Sequence, residues 1–383
     1  MSYKLKPIVM ITVVVFIVLL TIPFNSMVSC FKMVFYNTRD YILNVEVVNQ
    51  NIKDITIDED NRLLLRVSVK DFMGNSVMGV RVDTYEENGV GKVVPKYSTT
   101  DKNGECLVTY IPPKLTDENI EKLKNNVPIK ANIISTICKK KIEKNLEIGI
   151  KNIPIVYVHG YREGRGIFVS MDNYFEEKGF ESIFFSYNSK DKISDSANEL
   201  SDFLKKSRQE YLEKGLKVKS FYLICHSMGG VVARYYTCSD KYWEANDVKK
   251  VIFISTPHKG SHIAALGEGL YDDSGIKDLN PGSKLLNEDF NNLFNKGLNN
   301  TIQTANILGQ YDEVVGIDSA SLEEWNIKTE VYNVGDNSLN VNSILDGTFV
   351  DAPNHKNILS NTKVFERLEE MLYKDLFFPT YIN

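Results

Sequence analysis

The spacing of hydrophobic and polar positions changes once along the chain, near residue 151. Before that point, short apolar stretches of strand length alternate with turn signals such as DKNG at residues 101–104. Strand candidates fall at residues 61–71, 77–85, 106–111, 132–138 and 146–150. Several short strands at this spacing predict an all-β sandwich over residues 41–150.

Beyond residue 151, continuous apolar strands alternate with amphipathic helices. Strands are predicted at residues 155–158, 182–187, 218–225, 251–255, 305–308 and 330–334. Helices are predicted at residues 167–178, 193–212, 229–237 and 362–372. Because strands that are apolar on both faces need cover on both, residues 151–383 are predicted to form a mostly parallel sheet with helices on each side.

An uncharged apolar run at residues 8–24 follows Lys4 and Lys6. As a helix it would be about 25 Å long, close to the thickness of a bilayer core. The preceding lysines predict a cytoplasmic N-terminus and export of the rest. Three fates are open for residues 1–30. They are a membrane anchor, which the length favours, a cleaved signal peptide, or lipidation of Cys30 in a lipobox-like stretch.

The predicted location of the main part of the chain is therefore outside the cytoplasm, membrane-anchored or released as a secreted protein or lipoprotein. Export would permit disulfides, and Cys106 and Cys138 either pair or stay buried thiols. The net charge of -5 is spread along the chain, which argues against a nucleic-acid partner. No metal or cofactor motif is evident, and Asp346 and Asp351 ahead of the last histidine are not taken as ligands.

The sharpest local feature is the end of the apolar strand at residues 218–225, where CHSMG occupies residues 225–229. This fits G-x-S-x-G except that Cys225 replaces the first glycine. In a strand–turn–helix elbow, Ser227 would be a nucleophile, and the N–H of Met228 would favour negative charge at the helix start. The alternative is that Ser227 is only a helix N-cap followed by two glycines that allow close packing.

Three further residues complete the pattern of a hydrolytic serine site. Tyr161 follows the earliest strand of this half in VHGY, where its N–H would be a second oxyanion donor. Asp312 stands just beyond a strand, and His355 precedes the last helix. A nucleophilic serine needs a base and a carboxylate to orient that base, here in the order Ser, Asp, His. The alternatives are that Tyr161 lies in a plain turn, that Asp312 is a solvated turn aspartate, and that His355 is a surface histidine.

Five stretches stand in the order expected of one family: YVHGYREG, LICHSMGGVVARYY, ISTPHKGS, LGQYDEVVG and NHKNILSN. Residues 152–375 resemble an α/β-hydrolase of the bacterial lipase and esterase type. The resemblance implies hydrolysis of carboxylic esters, often of lipids, through an acyl-enzyme intermediate and without a cofactor. Two departures are Cys225 and a long segment, residues 335–354, before the histidine.

The stretch VSVKDFMGNSVMGVRVDTYEENG, followed by YSTTDKNGECLVTYIPP, resembles the bacterial immunoglobulin-like domains of the intimin and invasin type. This resemblance covers about residues 60–150. It implies a surface-exposed spacer or interaction module, with a cell-surface ligand as its partner and no catalytic residues.

The predicted function is an exported, membrane-associated serine ester hydrolase acting on an ester or lipid. Ser227 attacks, His355 acts as base and then acid, and Asp312 orients His355. The N–H groups of Tyr161 and Met228 hold the oxyanion. Alternatives are an acyltransferase or thioesterase with the same triad, and a catalytically silent surface adhesin. Residues 261–300, with leucines at 266, 270, 279, 285 and 286, are either a lid or an ordinary surface excursion.

Overall fold

The computed structural model describes most of the chain beyond residue 40, and its contacts divide that chain into two compact units. The described residues are 41–48, 51–115, 127–134, 141–262, 272–337 and 352–382. Of the described residues, the first unit contains 41–48, 63–110, 128–134 and 141–146. The second contains 51–62, 111–115, 127, 147–262, 272–337 and 352–382.

The described N-terminal part of the chain, up to Lys151, contains nine strands. They are β1 (Ile42–Val47), β2 (Asp54–Thr56), β3 (Leu63–Lys70), β4 (Arg81–Glu86), β5 (Lys92–Val94), β6 (Tyr97–Thr99), β7 (Glu105–Ile111), β8 (Val127–Ile134) and β9 (Lys141–Lys151). In the first unit, β3 pairs antiparallel with β1 and β7, and β4 with β6 and β8. The prediction of an all-β N-terminal region is confirmed, and the immunoglobulin-like assignment stays a prediction.

Burial along these strands follows the period of two that a one-sided sheet requires. On β3, Leu63, Leu65, Val67 and Val69 are buried and the residues between them are not. The strand predicted at residues 77–85 begins only at Arg81, because Gly79, at φ 79°, turns the chain just before it.

The second unit contains a six-stranded sheet in the order β11-β10-β13-β14-β15-β16. The strands beyond residue 151 are β10 (Ile155–Val158), β11 (Ser182–Phe185), β12 (Leu216–Lys217), β13 (Phe221–His226), β14 (Val248–Ile254), β15 (Gln303–Gly309) and β16 (Thr329–Tyr332). Of these, β12 pairs with β2 and not with this sheet. Every pairing within the six-stranded sheet is parallel. The prediction of a parallel sheet is therefore confirmed.

Helices alternate with these strands, as the apolar periodicity predicts. They are α1 (Val169–Glu177), α2 (Ile193–Glu213), α3 (Met228–Thr237), α4 (Asp240–Ala245), α5 (Ser274–Asp278), α6 (Phe290–Asn292), α7 (Ile317–Ala320), α8 (Pro353–Asn357) and α9 (Thr362–Tyr373). Short 3-10 turns span Arg165–Phe168, Phe294–Gly297, Glu323–Trp325 and Ile358–Ser360, and a π-helical turn spans Leu285–Asp289. On α2 the predicted apolar face, Ile193, Ala197, Leu200 and Leu204, is buried.

Strand register brings the carboxyl ends of the central strands to one edge of the sheet. Val158 of β10 pairs with Cys225 of β13, and Ile254 of β14 pairs with both His226 and Ile307. All six residues of β13 are buried. The segments after β10, β13 and β15 therefore start from the same edge, which is where open parallel sheets hold their ligands.

Helix α3 packs against this edge more closely than a side chain would allow. A Cβ on Gly229 would lie 2.4 Å from the carbonyl oxygen of Val158, and one on Gly230 would lie 2.1 Å from Oγ1 of Thr256. Both distances are far below van der Waals contact. Glycine is therefore required at both positions for the helix to meet β10 and the end of β14.

Residues 51–62 group with the second unit, although the sequence analysis assigned all of residues 41–150 to the sandwich. Strand β2 pairs in parallel with β12 and with the end of β9. The buried carboxylate of Asp58 accepts a hydrogen bond from Ser220 at 2.5 Å and one from Nζ of Lys249 at 3.0 Å. These contacts attach a segment that lies between β1 and β3 along the chain to the parallel sheet.

Several predictions concern residues that the structure does not describe. No helix within the described ranges is long and apolar enough to cross a membrane. The apolar run at residues 8–24 and Cys30 lie outside those ranges, so the anchor stays a prediction. Cys106 is a buried free thiol, and its suggested partner Cys138 lies outside the described residues.

We expect Gly229→Ala to lower the free energy of unfolding by about 1–3 kcal/mol, because the added methyl group would push α3 away from β10. Gly166→Ala is the matched control, since a Cβ there meets nothing within 4 Å. That control should stay within about 0.5 kcal/mol of the unaltered protein. Urea unfolding monitored by circular dichroism measures both, and equal stability of the two variants would contradict the packing argument.

Candidate active site

Ser227 lies between β13 and α3 in a backbone conformation that serine rarely adopts, with φ 52° and ψ -128°. Its N–H donates to the carbonyl of Ile254 at 3.0 Å. Its side chain makes no capping hydrogen bond to α3. The structure therefore gives no support to the N-cap interpretation. The strained conformation between strand and helix is the one that the predicted nucleophile elbow requires.

Cys225, the departure from the family pattern, is the fifth of the six buried residues of β13 and is itself fully buried. Burial raises the pKa of its thiol well above the ordinary value. The thiol is therefore kept protonated and packs as a small apolar group two residues before the serine.

Asp312 and His355 lie 43 positions apart and meet directly. Nδ1 of His355 lies 2.8 Å and 2.9 Å from the two carboxylate oxygens of Asp312, and both side chains are almost fully buried. Oδ1 of Asp312 also accepts the N–H groups of Val314 and Val315 at 2.9 Å and 2.8 Å. These bonds leave Asp312 an acceptor that holds the imidazole in one orientation.

The pKa values of this pair shift in opposite directions. For His355, burial by itself lowers the pKa, but the charge and hydrogen bond of Asp312 outweigh burial and raise the pKa above its ordinary value. For Asp312, burial by itself raises the pKa, but His355 outweighs burial and lowers it. The arrangement thus favours a carboxylate beside an imidazole that gains a proton readily, as a general base requires.

Glu313 holds the backbone that carries His355. Its two carboxylate oxygens accept the N–H groups of Asn354 and His355, each at 3.0 Å. Ala352, just before α8, has φ 35°. Adjacent acidic residues thus have separate tasks, since Asp312 contacts the ring of His355 and Glu313 contacts its main chain.

The loop after β10 lies against the serine, as the sequence analysis expected of the oxyanion loop. A Cβ on Gly160 would lie 2.7 Å from the Cβ of Ser227. The hydroxyl of Tyr161 donates to Asp273 at 2.5 Å, and the N–H of Arg162 donates to Oγ of Ser189 at 2.8 Å. These bonds hold Tyr161 and the residue after it in place.

Met228 is the first residue of α3, so its N–H lies in the turn where helix N–H groups lack partners within the helix. The helix dipole favours negative charge at this end. Met228 is fully buried. The two candidate oxyanion donors therefore flank Ser227 from α3 and from the loop after β10.

The hydroxyl of Ser227 and the ring of His355 are not joined by a hydrogen bond in the described part of the chain. His226 connects the two residues, because it precedes Ser227 in the chain and its Nε2 lies 3.0 Å from the carbonyl oxygen of His355. The two imidazole rings are 4.5 Å apart between centroids. Catalytic hydrogen bonds of this kind commonly tighten only when a substrate is bound.

Glu163 and His226 are site residues that the sequence analysis missed. Glu163 accepts the N–H of Gly160 at 2.8 Å, and the same oxygen lies 2.8 Å from Nδ1 of His226. Burial by itself raises the pKa of Glu163, but the charge and hydrogen bond of His226 outweigh it and bring the pKa to about 2. The only sequence signal was a glutamate in the charged stretch REGR, which looks like a surface turn.

The remaining histidines have other surroundings. His159 stacks on Tyr187 with ring centroids 4.5 Å apart, and burial lowers its pKa. His258 is buried beside Arg234, which donates to its carbonyl at 3.1 Å and to that of Gly297 at 2.9 Å. His262 is exposed. Only His355 and His226, among the described histidines, contact a carboxylate.

The described part of the insertion at residues 261–300 packs into the second unit. Leu279 and Leu285 belong to its hydrophobic core, and Leu286 packs against that core. Leu266 and Leu270 lie outside the described residues, as do Asp346 and Asp351. Within the described ranges, no group of three or more His, Cys, Asp or Glu side chains could hold a metal ion.

Comparison with known proteins agrees with the observed fold. A family model described as a PGAP1-like alpha/beta domain matches residues 150–330, a range that includes Tyr161, Ser227 and Asp312 and ends before His355. The second unit has the α/β-hydrolase fold. The match covers slightly less than half of the chain. No curated protein sequence matches the chain.

Solved structures with detectable likeness include lipases. The mature lipase BlEst2 of Bacillus licheniformis is 18% identical with a TM-score of 0.41, over 58% of this chain and 92% of that one. Phospholipase PlaB of Legionella pneumophila is 18% identical with a TM-score of 0.36, over 45% of each chain. The D00-D0 domain of intimin is 13% identical with a TM-score of 0.22, over 28% of this chain and 46% of that one. Values this low carry no argument about activity.

We expect Asp312→Asn to move the titration midpoint of His355 to lower pH. The charge of Asp312 raises this pKa against the opposing effect of burial, so without it burial acts with less opposition. The midpoint can be measured from the ¹⁵N shifts of the imidazole in NMR spectra. Asp318→Asn, an exposed position on α7, is the control. A midpoint that rises or stays unchanged in Asp312→Asn would refute this account of the pair.

Proposed function

We propose that the chain is a serine carboxylic ester hydrolase that acts through an acyl-enzyme intermediate, with ester-bearing lipids as its substrate class. The observation that carries the proposal is the strained Ser227 at the carboxyl end of β13, on the sheet edge that also holds the Asp312–His355 pair. Acyl transfer needs a nucleophile, an oriented base and oxyanion donors, and each has a candidate here.

In the proposed reaction, Oγ of Ser227 attacks the ester carbonyl carbon while Nε2 of His355 takes the hydroxyl proton. Asp312 stabilises the resulting imidazolium and keeps Nδ1 protonated. The N–H groups of Tyr161 and Met228 hold the negative oxygen of the tetrahedral intermediate, and each such donor contributes about 3–4 kcal/mol. His355 then protonates the leaving alcohol. In the second half of the reaction, His355 takes a proton from a water molecule, which attacks the acyl carbonyl carbon. His355 then returns a proton to Oγ of Ser227 as the acid leaves.

Two alternatives use the same chain differently. A thioesterase or acyltransferase would share Ser227, His355 and Asp312 and differ only in the leaving group or the acceptor. A silent adhesin would use the N-terminal region alone, with a cell-surface ligand, and would hydrolyse nothing. The strained serine favours an enzyme, because backbone strain of about 1–3 kcal/mol persists where surrounding structure maintains it, most often at functional sites.

We also propose that both units lie outside the cytoplasm, attached to a membrane by residues 1–30. The support is the apolar run at residues 8–24 after Lys4 and Lys6. A membrane-attached hydrolase would have lipid esters close by.

We expect Ser227→Ala and His355→Ala each to lower kcat/KM for ester hydrolysis by about 10⁴-fold or more, and the double variant to be scarcely worse than either, because the two residues act as one unit. p-Nitrophenyl esters of increasing chain length provide the measurement and separate an esterase from a lipase. His262→Asn is the matched control, since His262 is exposed. An unaltered protein that hydrolyses neither esters nor thioesters would end the proposal.

Protease added to intact cells should cleave the chain beyond residue 40, because lysines before an apolar run favour export of the polypeptide on its C-terminal side. The measurement is loss of the full-length band on an immunoblot. A cytoplasmic protein of the same cells serves as the control for integrity. Complete protection of the chain, with the same protease cutting it after lysis, would reverse the proposed topology.

A further inference from the structure

A second carboxylate–imidazole pair lies beside the first. Glu163 and His226 are 2.8 Å apart at Oε2 and Nδ1, the same separation as the closest contact between Asp312 and His355. The side chains of Glu163 and His226 are 6% and 0% exposed, so solvent does not screen the contact. The proposed reaction uses neither residue.

The pair touches each of the three segments that carry the candidate site. Glu163 accepts the N–H of Gly160, one residue before the oxyanion candidate Tyr161. His226 precedes Ser227 in the chain. Nε2 of His226 lies 3.0 Å from the carbonyl oxygen of His355. One buried contact therefore connects the oxyanion loop, the elbow and the histidine loop.

Hydrogen-bond chemistry restricts the protons that His226 can carry. Both of its ring nitrogens face oxygens that accept hydrogen bonds, a carboxylate oxygen on one side and a main-chain carbonyl on the other. A neutral imidazole donates from only one nitrogen, whereas the imidazolium donates from both. The ring that satisfies both contacts is the imidazolium, paired with ionised Glu163.

We propose that Glu163 and His226 are positioning residues that hold the oxyanion loop, the Ser227 elbow and the His355 loop in register for catalysis. This rests on the proposed ester hydrolysis for its kinetic consequences, although the contacts themselves do not. Removing either partner would leave a buried charge without its counter-ion and release the carbonyl of His355. Misplacement by about 1 Å in such a site lowers the rate by about 100-fold.

The pair also acts electrostatically on His355. Among the residues that the structure describes, the charged and titratable groups around His355 are Asp312 and Glu313 after β15, Glu163 after β10, and His226 at the end of β13. Glu163 in turn faces His226, His159 and Tyr187. Loss of the negative charge of Glu163 would remove one of the influences that raise the pKa of His355, so the midpoint of His355 would fall.

The test uses the full chain with Glu163→Gln, which keeps the size and removes the charge. We expect kcat for p-nitrophenyl esters to fall by about 100-fold with little change in KM. The NMR titration midpoint of His355 should move to lower pH. His226→Gln should lower kcat similarly. The kcat of the double variant should be no lower than that of the less active single variant. Glu199→Gln, exposed on α2, is the matched control and should match the unaltered protein.

Wild-type kcat together with an unmoved His355 midpoint in folded Glu163→Gln would overturn the proposal, as would independent losses that multiply in the double variant. If the unaltered protein hydrolyses no ester, the proposed function fails, and the His355 midpoint still decides the positioning role. If both variants fail to fold, ¹⁵N NMR of the unaltered protein decides. A proton on Nδ1 of His226 held in a hydrogen bond to Glu163 supports the pair, and an Nδ1 that carries no proton or exchanges it freely refutes it.

Discussion

The strained backbone of Ser227 is the constraint on which the rest of the site depends. A serine at φ 52° costs about 1–3 kcal/mol and persists only where the surroundings hold it. Here the buried strand β13 lies before it and α3 after it. Side chains at Gly160, Gly229 or Gly230 would collide with Ser227, Val158 or Thr256. Close packing without side chains thus maintains the conformation that a nucleophile elbow requires.

Buried charge is the second organising feature of the site. Asp312 and Glu163 are almost fully buried, and ionised carboxylates are costly there unless hydrogen bonds and a counter-charge compensate. Both have these. Asp312 accepts from two main-chain N–H groups and His355, and Glu163 accepts from Gly160 and His226. Breaking either pair would leave a partner uncompensated, so the two pairs stabilise the loops that they join.

The second unit is not continuous in sequence. Residues 51–62 belong to it, although strands of the first unit come after them along the chain. The buried contact of Asp58 with Ser220 and Lys249 explains why this segment stays on the α/β unit. A stretch written Asp58-Glu59-Asp60 looks like a solvated turn in sequence. In the folded protein the carboxylate of Asp58 is buried and holds the segment in place, because a buried charge requires specific partners.

The sequence by itself determined the alternation of strands and helices beyond residue 151 and the candidate roles of Ser227, Asp312 and His355. Apolar periodicity and turn chemistry are local properties, so they can be read from neighbouring residues. Only the tertiary structure decided which distant groups meet: Asp312 with His355, Glu163 with His226, and Asp58 with Lys249. Strand order and register set those contacts, and a carboxylate in a loop carries no mark in sequence of the partner that folding will bring to it.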